Sequence, residues 1–305
     1  MTQPSQPFSV LCAGRLYCDL VFTDVPRLPT MGTETFAGGL GLHTGGGAFI
    51  TAVTLAKLGQ RLSLLSTFPA APFNKLTEIE ILQNDINIDL CAEAPLGSDP
   101  QVTVAIASKN DRAFLSRKSG AALPKIHADK MNGFHHLHIG ELRTLKEHPE
   151  LIDLARDAKL TISLDCGWDD ELMNDANGLA KLIASVDIFL PNEMEANQLK
   201  RLGIAENTAP LTVIKCGSEG ARAHTKNDFF SAETWSVDVI DATGAGDAFN
   251  GGFIYEWLRN SPIDQCLRTG NACGTAAVQG RGGTGGLNSL LELVAVNSPN
   301  LQASN

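Results

Sequence analysis

No apolar stretch in the 305 residues approaches the length of a membrane span, which excludes a spanning helix. The opening segment Met1 to Pro7 is polar and carries no basic-then-apolar pattern, so a cytoplasmic protein is expected. The seven cysteines (12, 18, 91, 166, 216, 266 and 273) form no C-x-x-C pair, and an odd number without a secretion signal reads as reduced thiols, not disulfides. Positive charge is also short. Lys and Arg number 24 against 34 Asp and Glu, a net charge of -10 that argues against a general nucleic-acid binder but leaves room for a local phosphate-holding patch. Internal repeats, heptad runs and low-complexity tracts are missing. What is present is 43% hydrophobic residues, ample for the core of one large α/β domain or two small ones.

The most informative stretch is Asp241-Ala-Thr-Gly-Ala-Gly-Asp247. Before it, Trp235 to Ile240 alternates apolar and polar side chains and predicts a strand; after it, Phe249, Phe253, Ile254, Trp257 and Leu258 recur at helical spacing. The glycines therefore fall where a strand passes into a helix. Gly244, Ala245 and Gly246 let the free N–H groups of a first helical turn approach an anion, which the helix dipole also favours. Asp247 lies in that same turn as an ionised carboxylate. The segment offers a seat for a phosphoryl group beside a base.

Elsewhere strands and helices alternate. Phe8 to Ala13 reads as a central strand, Ala48 to Leu58 as a helix ended by Gly59, and Leu62 to Ser66 as a strand. Val102 to Ala107 and Ala113 to Leu115 suggest a hairpin around Asn110-Asp111, flanked by Arg112, Arg117 and Lys118. Those cations suit a solvated face or an anionic acceptor. From Leu151 onward the pattern is regular: helix to Ala158, strand from Leu160 to Asp165, helix from about Asn177, strand from Asp187 to Leu190. Such alternation marks a parallel sheet covered by helices, with Asp165 at the carboxyl edge where ligands gather. His135, His136 and His138 share one short strand, with no Cys or carboxylate at zinc-ligand spacing. Gly270-Asn271-Ala272 is expected to open a small-residue helix, and Gly280 to Gly286 to form a loop.

The 241–247 stretch and the helix after it resemble the second signature of the ribokinase-like (PfkB) carbohydrate kinases, and the likeness extends over nearly the whole chain. It implies an α/β fold: a three-layer α/β/α sandwich with a mostly parallel central sheet and a small β-sheet lid. One kinase domain would cover 1–305, with the lid drawn from about 17–43 and 98–118. The implied reaction is ATP-dependent phosphorylation of a hydroxyl of a small sugar or sugar-like acceptor. Asp247 would be the base, and the amides of Gly244, Ala245 and Gly246 would hold the phosphoryl group. Asp19, at the family spacing after Gly14, and the Gly45-Gly46 junction would bind the acceptor.

Asn192-Glu193-Met194-Glu195 matches the family's Asn-x-x-Glu motif, which organises Mg2+ mostly through water; read alone, the same residues cap a helix. The resemblance also puts Lys215, Gly217, Asn271 and Thr243 beside the nucleotide. It implies a monovalent cation such as K+ on the backbone carbonyls of Asp241 and Thr243, next to a glycine loop that otherwise reads as flexible linker. Two positions depart from the family. Tyr17 stands where ribokinase has a sugar-binding Asn, and Ile50 where many members have an acceptor-binding Asn. Thr67 to Pro72 replaces the usual glycine-rich loop, so the first signature is only partly present. Tyr17, Phe49 and Ile50 read as an apolar acceptor wall, which suits a nucleoside as a second acceptor class, or Phe49 and Ile50 read as helix core. A binding protein that has lost catalysis is the rival of another class. The partners expected are ATP and a small acceptor, not nucleic acid or membrane. An exposed lid face makes a homodimer through the lid the expectation to test.

Overall fold

Short apolar runs separated by helices form a sheet whose parallel strands each need a crossover to return. In the computed structural model, which describes residues 7–107 and 112–290, eight strands build the main sheet. They are β1 (Ser9–Ala13), β4 (Arg61–Leu65), β7 (His136–Ile139), β8 (Thr161–Asp165), β9 (Ile188–Leu190), β10 (Leu211–Lys215), β11 (Ala221–Thr225) and β12 (Phe229–Ala232). Their spatial order is β12-β11-β10-β9-β8-β7-β1-β4. The strands from β10 to β4 run parallel, while β11 pairs antiparallel with β10 and β12 antiparallel with β11. Val10 to Ala13 and Ile188 to Leu190 are buried without alternation, as strands covered on both faces must be.

One face is covered by α3 (Leu142–Glu147), α4 (Glu150–Asp157), α5 (Leu179–Ala184) and α6 (Glu193–Arg201), whose Leu145, Leu151, Ile183 and Leu199 pack on Leu137 and Ile162. The other is covered by α1 (Gly47–Lys57), α7 (Ala245–Trp257) and α8 (Ile263–Ala277), through residues such as Val53, Phe253, Ile254 and Cys273. At roughly 1.5–3 kcal/mol for each large aliphatic or aromatic side chain buried, these two layers hold the sheet. This is the three-layer α/β/α arrangement expected. A second sheet, ordered β3-β2-β5-β6, forms the lid from β2 (Tyr17–Thr23), β3 (Gly39–Gly45), β5 (Val102–Ala107) and β6 (Arg112–Arg117). The remaining helix, α2 (Phe73–Gln83), packs against β2 and β3.

The β7 histidines form a polar seam inside the main sheet. His136 Nδ1 lies 2.8 Å from Thr161 Oγ1 and its Nε2 2.7 Å from Ser163 Oγ, while His138 Nδ1 lies 2.9 Å from the same hydroxyl. Burial pushes both imidazoles down to about 3, so both are neutral at working pH. Leu137 and Ile139 point to the α3–α5 face, and the His136 ring lies 6.0 Å from that of Trp257 on α7, as strand alternation requires.

Two local expectations fail. Trp235 to Ile240 is not a strand: Trp235, Val239 and Ile240 are 40%, 61% and 61% exposed, and the Ile240 and Asp241 amides both donate to Val278 O. Alternation without a partner strand leaves no ladder to join. Gly270 does not open a helix but lies inside α8, which starts at Ile263 behind Pro262. A Cβ at Gly270 would sit 2.7 Å from the Phe249 ring, so this glycine serves the close contact of α8 with α7. β5 and β6 do pair antiparallel, while Asn110-Asp111 lies outside the described residues.

Candidate active site

Two helix N-termini meet at Asp247. Gly244 caps α7 with φ +73°, in the left-handed region, and a Cβ there would lie 2.8 Å from Gly283 Cα and 2.9 Å from Ile50 Cδ1. Glycine is required on both counts. Ala248 is the first residue to donate to an i−4 carbonyl, Gly244 O at 2.8 Å, so the Gly246 and Asp247 amides precede the helical ladder. At the start of α1, Gly46 has φ +116°, and a Cβ would lie 2.2 Å from Arg15 O. The next residue, Gly47, leaves room for Asp247 Oδ1, which a Cβ would approach to 2.7 Å. Thr51 Oγ1 donates to Asp247 O at 3.0 Å and locks the two helices together.

Beside the Asp247 carboxyl lies a charged cluster that joins three elements. Lys215 Nζ, at the end of β10, is 3.0 Å from each Asp165 oxygen at the end of β8, and donates to Asn250 Oδ1 on α7 at 3.2 Å. Asn250 Nδ2 in turn donates to Asp165 Oδ2 at 2.5 Å. Asp165 is also within hydrogen-bonding reach of the Asp247 carboxyl. Burial first, then the Asp165 charge, hold Asp247 above the usual carboxylate range, with Lys215 opposing. Glu195, 4% exposed, is raised by the same two causes. Burial disfavours the Lys215 ammonium, but Asp165, Glu195 and Asp247 outweigh it and hold its pKa above the ordinary lysine value.

The lid builds the opposite wall. The Asp19 carboxyl on β2 stands across from Thr103 on β5 and lies against β3, where a Cβ at Gly45 would approach it to 2.2 Å. Burial raises the Asp19 pKa to about 7; Thr103 lowers it, and the charges of Glu80 and Asp241 add to the rise. Tyr17 is raised too, by burial and then by Glu141. Glu141 follows β7, and its Oε1 accepts from Thr144 Oγ1 at 2.6 Å and from the Arg15 amide at 3.3 Å. Glu141 belongs to no motif of the sequence, and its place just after a strand's carboxyl end is the one signal that points to it. Ile50 is 3% exposed, with Cδ1 directed at Gly244 and Gly283, and Phe49 is fully buried. Both are buried in α1.

On the far side of Lys215, an open cleft of about 460 Å³ is lined by Asn192, Asn197, Arg201, Lys215 and Gly217. Asn192 and Glu195 form a capping box: Asn192 Oδ1 accepts from the Glu195 amide at 2.9 Å, and Glu195 Oε2 from the Asn192 amide at 2.7 Å. Asn271 is 5% exposed, and its Nδ2 donates to Ala232 O at 2.9 Å and Glu233 O at 3.1 Å, tying α8 to the end of β12. Asp241 Oδ1 accepts from the Thr243 amide and hydroxyl, and Oδ2 from the Gly282 amide at 3.0 Å. The carboxylate thus clamps the glycine loop to the approach of α7. Arg117 pairs with Asp99, and Lys118 lies 3.4 Å from Asp169.

A carboxylate facing two helix N-termini, at the carboxyl edge of a lidded parallel sheet, is the architecture of a small-molecule phosphotransferase with an alcohol as acceptor. The chain belongs to the pfkB family of carbohydrate kinases, whose model matches residues 9–289. It is 24% identical over 282 residues to an ATP-dependent ribose-1-phosphate kinase of Halopiger xanaduensis, covering 90% of this chain and 93% of the relative. The nucleoside kinase of Methanocaldococcus jannaschii superposes with a TM-score of 0.76 at 21% identity, over 94% of this chain and 98% of that one. A ribokinase II candidate of E. coli, in complex with ATP and Mg2+, gives 0.77 at 20% identity over 95% and 99%.

Proposed function

We propose that this kinase transfers the γ-phosphoryl group of ATP to a hydroxyl of a neutral sugar, with a nucleoside as the second acceptor class. The carrying observation is Asp247, set between the N-termini of α1 and α7. In the transfer, the acceptor oxygen bonds to the γ-phosphorus, the bond to the β-phosphate oxygen breaks to release ADP, and the hydroxyl proton passes to Asp247. A carboxylate raised by burial suits that proton. The Gly244 and Gly246 amides hold the phosphoryl oxygens, the Ala245 amide being engaged with Ala242 O at 3.4 Å, and Lys215 and Gly217 border the polyphosphate. Asp19, the Gly45-Gly46 backbone, Tyr17 and Glu141 position the acceptor.

Asp165, Glu195 and Asp247 share the single ammonium of Lys215, an excess of negative charge that a divalent cation fits. Among the described residues no three His, Cys, Asp or Glu side chains converge on a metal position, so Asn192 and Glu195 would hold Mg2+ through its waters. When bound, the ion offsets the charge of the triphosphate. A monovalent cation at Asp241 and Thr243 belongs to the same reading. So does a cytoplasmic setting: all seven cysteines are free thiols, and among the described residues no helix is long and apolar enough to cross a membrane.

The acceptor is neutral because its surroundings are not. Asp19 senses the charges of Glu80 and Asp241, Tyr17 those of Glu141 and Glu147, while Arg15, Arg117, Lys118 and Arg143 are each paired with a carboxylate. With those four cations engaged, a neutral acceptor fits the site better than a sugar acid or sugar phosphate. The burial of Phe49 and Ile50 supports a sugar ahead of a nucleoside. A panel of neutral sugars, nucleosides, sugar acids and sugar phosphates, assayed for Mg2+-dependent ATP consumption in KCl and in NaCl, tests this. Turnover is expected on a neutral sugar, faster in KCl. Faster turnover on an acid or phosphate would overturn the acceptor class, and tight binding with no turnover on any member would identify a catalytically inactive relative.

The lid face opposite Asp19 carries Leu20, Phe22, Leu40, Leu42, Val104 and Leu115, with Leu40, Leu42 and Leu115 57%, 44% and 75% exposed. This apolar face supports a homodimer through the lids. Light scattering is expected to give a dimer mass for the wild type and a monomer mass for Leu42→Glu; a monomeric wild type would remove the dimer.

A further inference from the structure

We infer that Glu80, on α2, is a positioning residue that ties the acceptor-binding strand of the lid to the loop behind the phosphoryl-holding amides. The inference rests on the kinase reading of those two regions. Glu80 Oε2 accepts from the Thr44 amide at 2.6 Å, one residue before Gly45 on β3, whose backbone lies against the Asp19 carboxyl. Glu80 Oε1 accepts from Thr284 Oγ1 at 3.4 Å, one residue after Gly283, which lies against Gly244 at the start of α7. One carboxylate therefore spans from the acceptor strand to the anion-binding helix start. A second contact runs alongside: a Cβ at Gly282 would lie 3.1 Å from the His43 ring of β3, and the Gly282 amide is held by Asp241.

β3 is the edge strand of the lid sheet, so its outer amides have no ladder partner there, and Glu80 supplies one for Thr44. The loop has few backbone bonds of its own between Gly280 and Thr284. Its place beside Gly244 thus depends on side chains that reach it from elsewhere. Reactant atoms displaced by about 1 Å can cost a hundredfold in rate, so a tie that fixes the lid strand relative to the anion seat acts on transfer more than on either binding step. Its loss is expected to lower kcat while leaving the KM for ATP nearly unchanged.

The test uses the full chain with Glu80→Ala, Glu80→Gln, Thr284→Val and the Glu80→Ala/Thr284→Val double variant. Gln can restore both contacts, its oxygen accepting from Thr44 N–H and its amide donating to Thr284 Oγ1. Glu80→Ala is expected to speed amide exchange across residues 280–284 about tenfold and to lower kcat by about 10–100-fold, with Glu80→Gln close to wild type. The double variant is expected to lose no more than about twofold beyond Glu80→Ala, since both remove one tie. Unchanged loop exchange in Glu80→Ala, or losses in kcat that multiply in the double variant, would overturn the role. Should the wild type transfer phosphate to no acceptor, the kinase reading fails, while the exchange measurement still decides whether Glu80 holds the loop; should Glu80→Ala not fold, Thr284→Val and Glu80→Gln decide it by the same exchange.

Discussion

Asp247→Asn is expected to bind ATP as the wild type does and to lose about 10²–10⁴-fold in turnover, the contribution of a well-placed general base. Asparagine keeps the shape of the side chain and leaves the α7 amides where they are, so the phosphoryl seat survives. What disappears is the lone pair proposed to take the hydroxyl proton. The substitution also removes one negative charge from a cluster in which Asp165 and Glu195 already raise the proton affinity of Asp247. The melting temperature should therefore hold or rise, which separates lost chemistry from lost fold. ATP affinity by calorimetry, turnover and a melting curve together check this; turnover near that of the wild type would remove Asp247 as the base.

Lys215→Met is expected to be the most destabilising single change at the site. It strips the only ammonium from Asp165, Glu195 and Asp247, and breaking a buried ion pair by deleting one partner costs about 3–5 kcal/mol. The loss should depend on pH in a definite direction. Glu195 and Asp247 have folded-state pKa values above the ordinary range, and without Lys215 they rise further. A carboxyl with a folded pKa above its unfolded one binds its proton more tightly in the folded protein, so stability falls as pH rises through the folded value. The gap in melting temperature between variant and wild type should widen from mildly acidic to mildly alkaline buffer. A gap that narrows would mean that Lys215 does not offset these carboxylates.

The parts of this site that can be read in the sequence are those whose signal is local. Gly244 to Asp247 announces itself because a left-handed cap, free amides and a first-turn carboxylate all fall within four residues. The Asn192/Glu195 pair is legible as a helix cap for the same reason, and a capping box is what the structure contains. The charged cluster is not legible as a unit, because Lys215 lies 50 residues from Asp165 and 35 from Asn250, and only the parallel crossovers bring the strand ends together. Gly270 misleads because a glycine serves equally as a helix boundary and as a notch for a neighbouring ring; Pro262, at the true start of α8, is the better marker. Trp235 to Ile240 misleads because alternation reports an amphipathic segment, and pairing needs a neighbour the local pattern does not reveal.

The buried Arg15 guanidinium gathers the chain segments that lead into and out of the lid. Nη1 donates to Gln101 Oε1 at 2.7 Å, just before β5, and to the Ser119 and Gly120 carbonyls after β6, while Nη2 meets Glu147 at 2.7 Å. Two excursions of the polypeptide thus leave and rejoin the main sheet around one fixed cation. Arg15 therefore works as a mooring post: both lid loops hang from it, and its replacement by Met would loosen the two together.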